Sequence, residues 1–169
     1  MIRSVCSSLS RSLLALPIFA LIGLAGLPAT ARGQGLEGPW LMSVTLRDCV
    51  SSAPLGPPFL TLLTFHAGGT LSESAASAGF APGQRGPGHG AWRQTGAATF
   101  AARFAALIAF ETAPNPPAPG FKAGGLLVTA SFTQTGPSAL TALATADFYD
   151  ATLTKYRSAC PTIVGQRLP

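Results

Sequence analysis

The chain has 169 residues, of which only 10% are charged and 47% are hydrophobic, with a formal net charge of +5. A length of this order fits one domain with a real core. The basic residues are scattered rather than clustered, which argues against a nucleic-acid or membrane-surface binder.

Arg3 and Arg11 precede the run "SLLALPIFALIGLAGLPATA", which ends in Ala29-Thr30-Ala31. A basic start, an apolar middle and a small-x-small end make a secretory signal peptide. The expected cleavage follows Ala31 and leaves residues 32–169 as one domain. A retained anchor is the competing reading, but Pro17, Pro28, Gly23 and Gly26 interrupt the run. A spanning helix needs about 20 apolar residues, so no stable membrane anchor is expected after cleavage. The expected location is the periplasm or the medium. Abundant Ala, Gly, Pro and Arg beside two Lys and one Asn match the codon bias of a GC-rich bacterial genome. Cys49 and Cys160 remain after cleavage, an even pair in an exported chain, which predicts one disulfide; two buried thiols are the alternative.

From Gly38 onward the pattern alternates with a period of two. Trp40, Met42, Val44 and Leu46 share one face of a first strand. Further strands are expected at Phe59–His66, Thr70–Ala75, His89–Gln94, Ala98–Phe110, Phe121–Gln134, Ala139–Tyr149 and Thr154–Leu168. Eight antiparallel strands and no amphipathic helix predict an all-β fold, an eight-stranded up-and-down barrel. A two-sheet sandwich is the competing architecture. Strand direction alternates, so "HAGG", "TGA" and "TGPS" close one end with short turns. The other end carries "VSSAPLGPP", "ASAGFAPGQRGPG" and "TAPNPPAPG". Long loops on a rigid scaffold are where binding residues collect, so the mouth is expected at that end.

Gly38-Pro39-Trp40 at the head of the first strand resembles the Gly-x-Trp motif of the lipocalins and the wider calycin superfamily. The stretches "TFHAGGTLSE" (Thr64–Glu73) and "RGPGHGAW" (Arg85–Trp92) look like those of small exported lipocalin-like bacterial proteins of unknown role. The resemblance implies that Trp40 packs at the closed end beside an arginine of the last strand, for which Arg167 is placed. The clear C-terminal helix of a standard lipocalin is missing. If Cys49 faces Cys160 in a closing strand pair, Trp40 falls opposite Pro169 and Arg167 lies beside Met42.

No sequence motif of a hydrolase, metalloprotease, P-loop or dinucleotide site is present. His66 and His89 are expected at opposite ends of the barrel, so no metal site and no cofactor are expected. Glu73 shares a face with Leu71 and Ala75. A hairpin that sets Ala75 opposite His89 makes Glu73 and His89 diagonal neighbours, a candidate acid/base pair or an ordinary cross-strand pair. Trp92, Phe100, Phe104, Ile108 and Phe110, with Glu73, are the candidate lining of an apolar pocket; plain core packing is the alternative. Inward alanines (Ala102, Ala106, Ala142, Ala144 and Ala146) leave room for one. Arg47, Arg93 and Arg103 are candidate anchors for an anion, or solvated. The sequence supports binding of a small hydrophobic or amphipathic ligand. It leaves open an isomerase or cyclase resembling the allene oxide cyclases, and a secreted inhibitor acting through its loops.

Overall fold

A computed structural model describes residues 35–76, 80, 83–109 and 121–169. The expected signal segment Met1–Ala31 and Phe110 lie outside the described residues. Nine strand segments occur in chain order: β1 (Gly38–Thr45), β2 (Phe59–Phe65), β3 (Thr70–Ala75), β4 (Arg85–Gln94), β5 (Thr99–Ile108), β6 (Gly124–Gly136), β7 (Ala139–Asp150), β8 (Lys155–Ala159) and β9 (Thr162–Arg167). Each pairs antiparallel with its neighbours, β6 also pairs β7, and β9 pairs both β7 and β1. The sheet therefore closes on itself.

Segments β8 and β9 are one barrel strand broken at Cys160-Pro161, which makes eight strands in up-and-down order. Proline has no N–H to give to a ladder, and the break falls where Pro161 stands. The pairing survives it, because the Ala144 N–H donates to the Pro161 carbonyl at 3.0 Å. No helix occurs among the described residues.

Alternation decides which side chains enter the lumen. In β5, Phe100, Ala102, Phe104, Ala106 and Ile108 are buried, while Arg103 and Leu107 point out. In β1, Trp40, Met42 and Val44 turn inward, as their period-two spacing requires. The burial of Val44, Leu63, Phe104, Val128 and Phe148 from five different strands joins these faces into one core.

Trp40 stoppers the end with the short turns. It is fully buried, its Nε1–H donates to the Leu36 carbonyl at 2.9 Å, and the Arg167 guanidinium lies 4.5 Å above its ring. Arg167 also donates to the carbonyls of Glu37, Gly35 and Pro137. It thereby ties the segment before β1 and the β6–β7 turn to the last strand. Gly38 stands at φ +110°, and a Cβ there would sit 3.2 Å from Arg167 Nη1; glycine alone takes that backbone at so close an approach. Phe65, Trp92, Phe100 and Phe132 pack edge to face beneath this cap.

The closing register differs from the expected one by two residues. Trp40 faces Arg167 directly, and Thr45 faces Thr162. The disulfide Cys49–Cys160 does form, with Cα atoms 5.0 Å apart, but outside the β1–β9 ladder. Arg47 is the residue that meets Cys160, whose N–H donates to the Arg47 carbonyl at 2.9 Å. Cys49 reaches back from the turn that Asp48 organises. A slip of two preserves which face each residue occupies, so the inward set was unaffected. A disulfide of this kind belongs to a non-reducing environment.

Two stability measurements follow. Trp40→Ala removes the stopper and is expected to cost about 3–5 kcal/mol in urea unfolding. Replacing both Cys49 and Cys160 by Ala opens a link across 111 residues and is expected to cost about 4 kcal/mol, with the barrel's circular dichroism retained.

Candidate functional site

Inside the barrel lies a cavity of about 650 Å³. Its wall is apolar: Met42, Val44, Leu63, Leu126, Val128 and Ile163 face it. Phe132 also lines it, and Phe132 packs on Phe65 of the closed end. At the other end it reaches Leu55, Pro57, Phe80, Phe121 and Arg157, all in or beside the long connections. Leu55 is 58% exposed, so this lining extends to the protein surface. The mouth is therefore at the long-loop end, as the loop lengths predict.

Phe80, Phe121 and Phe148 form an aromatic rim, with ring centroids 5.0 Å and 5.1 Å apart along the series. The Arg157 guanidinium lies 4.5 Å over the Phe121 ring. Across the mouth, the Ser51 N–H, the Ser51 hydroxyl and the Val50 N–H all donate to Asp48. These bonds, the Ser51 N–H foremost, hold its carboxyl below the usual carboxylate range.

A buried ion pair interrupts the apolar wall. Glu73 and Arg85 side chains are 4% and 7% exposed and form an ion pair at 2.9 Å. Arg85 Nη2 donates to both carboxylate oxygens, at 3.1 Å and 2.9 Å. The Thr61 hydroxyl is 2.8 Å from Glu73 Oε1 and 3.1 Å from the Ser74 carbonyl. Two charges are thus kept out of water with partners for each, the condition under which a buried pair persists.

A bulge in β4 makes the pair possible. Arg85 faces Ile108, but Gly88 faces Ala106, so β4 holds one extra residue between them. From Pro87 to Arg93 the odd-numbered residues point outward. The extra residue reverses that parity and turns Arg85 inward. Gly88 then clears the space: a Cβ there would lie 2.8 Å from Glu73 Oε2 and 3.0 Å from Phe104. The stretches "TFHAGGTLSE" and "RGPGHGAW" supply the acid, the base and the gap between them.

Glu73 and Phe104 line the cavity. Trp92 and Phe100 do not: they pack at the closed end, where Trp92 Nε1 donates to the His66 carbonyl at 3.1 Å. Ile108 is buried in the core without lining the cavity. Ala146 lines it, and Ala102, Ala106 and Ala142 are buried on the inward face.

The proposed Glu73–His89 pair does not form. Ser72, not Ala75, faces His89, and Glu73 faces Gly88. This shift of three is odd, so it sends His89 to the exposed outer face while Glu73 stays inside. It also brings the histidines nearer than expected, since His66 Nε2 lies 3.1 Å from the hydroxyl of the same Ser72. No group of three or more His, Cys, Asp or Glu lies together among the described residues. Arg93 and Arg103 are exposed on the outer wall. Arg47 is committed to Thr162 and the Ser52 carbonyl. The cavity's cations are instead Arg85 and Arg157, which alternation alone does not single out. Pro87 inside a strand carried a signal, because proline within a ladder marks a bulge.

Comparison of the chain with family models, with curated proteins and with solved structures gives no match. The geometry of the lumen therefore carries the functional argument.

Glu73→Gln leaves the Arg85 charge buried without its counter-ion and is expected to cost about 3–5 kcal/mol. The double replacement Glu73→Leu with Arg85→Met removes both charges and is expected to recover most of that loss. Urea unfolding of the two variants measures the difference.

Proposed function

We propose that this protein is an exported, lipocalin-like carrier that holds one small hydrophobic or amphipathic molecule in its barrel. The observation that carries the reading is the cavity itself. Eight-stranded barrels are just wide enough for side chains to fill them, yet about 650 Å³ stays empty here. That lies within the usual size range of ligand pockets. At ~30 Å³ per water, it holds roughly twenty water-sized groups. Empty apolar volume costs stability, and a guest that fills it removes the cost.

The Trp40–Arg167 stopper supports the likeness to calycins, and the disulfide supports a periplasmic or extracellular site of action. Catalysis at Glu73 is less well supported. Its carboxylate accepts from Thr61 and Arg85, which suits a fixed anchor better than a base that must take a proton.

The test is a filled lumen. Ala146→Phe places a ring in the cavity, at an overpacking cost of about 1–3 kcal/mol. It is expected to abolish uptake of an apolar fluorescent dye while the barrel's circular dichroism persists. Native mass spectrometry of the protein from its source is expected to show an adduct that denaturation releases. Dye binding equal in A146F and the natural protein would sink the carrier reading.

A further inference from the structure

The buried Glu73–Arg85 pair in the cavity wall narrows the class of guest. We propose that the cavity selects amphipaths whose polar end is an uncharged hydrogen-bond acceptor, a ketone, aldehyde or ester. Arg85 binds the acceptor, and the apolar chain lies along the apolar wall of the cavity. This inference rests on the carrier reading.

A guanidinium has five N–H donors. Nη2 donates to both Glu73 oxygens, and Nη1 donates to the Gly86 carbonyl at 3.3 Å. The Nε–H and the second Nη1–H have no acceptor among the described residues. Among the described residues no fully buried side-chain nitrogen or oxygen lacks a partner, so an Nε–H without one borders open space. Arg85 itself lines the cavity. An acceptor on the guest completes the set.

Charge decides which acceptor. Glu73 already neutralises Arg85, so the pair presents donors without net positive charge. A carboxylate guest meets the Glu73 carboxylate in apolar surroundings and sheds its hydration to do so. An ammonium guest meets Arg85 in the same way. A carbonyl oxygen loses little hydration and gains a charge-assisted hydrogen bond. The rim offers the rival arrangement: an acid that enters tail first and leaves its carboxylate on Arg157, over Phe121.

The experiment is displacement of a neutral apolar dye at neutral pH by four twelve-carbon guests: dodecane, 2-dodecanone, dodecanoic acid and dodecylamine. The ketone is expected to displace the dye at a concentration about ten-fold below any of the others. That advantage is expected to vanish in the Glu73→Leu/Arg85→Met double variant and to persist in Arg157→Gln. If the double variant does not fold, the ranking on the natural protein decides. Equal displacement by all four guests overturns the selection and leaves the carrier reading standing. Tightest binding by the acid, lost in R157Q, overturns it in favour of a head group at the rim. Failure of the dye and every guest to bind overturns the carrier reading itself.

Discussion

Everything inside this protein depends on β1 meeting β9. A sheet with eight strand positions and free edges exposes unpaired N–H and C=O groups along both edges. Closing removes both edges at once and converts one face of the sheet into an interior. The closure is made by few groups. Trp40 fills the narrow end, and Arg167 lies over its ring while donating to three backbone carbonyls. The disulfide holds the same pair of strands at the opposite end, just past the ladder. The first and last strands are thus pinned at both ends, and the wall between them needs no bulky contacts to stay shut.

That division of labour explains how the lumen stays open. Packing is concentrated at the closed end, where Phe65, Trp92, Phe100 and Phe132 interlock. Toward the mouth, small inward residues such as Ala146 and Ala159 thin the wall. The volume left is mostly apolar, and the ion pair in its wall is neutral, hydrogen-bonded and out of water. A carboxylate buried in such surroundings needs a partner. Arg85 supplies it for Glu73, and Gly88 is a condition for both to fit.

Much of this was legible in the chain, for a simple reason. Side-chain direction along a strand repeats every two residues, so Met42, Val44, Phe104 and Ala146 could be assigned to the interior without coordinates. Loop lengths marked the mouth, and an even pair of cysteines marked the staple. The errors came where alternation was interrupted or where two strands had to be aligned. The β3–β4 register was out by three, an odd number. That separated Glu73 from His89 and hid the partnership with Arg85. The closing register was out by two, an even number, and cost nothing in facing. Trp92 and Phe100 pack at the closed end rather than along the cavity, because periodicity gives the face of a residue and not its height in the barrel.

The sequence by itself therefore determined the fold class, the inward set, the closed end and the disulfide, all of which follow from local periodicity and pairwise chemistry. Only the tertiary structure decided that Arg85 turns inward and meets Glu73, that Arg157 rather than Arg47 stands at the mouth, and that the barrel is hollow. Those depend on one inserted residue in β4 and on how eight strands share a common axis. Neither quantity is a property of any single segment.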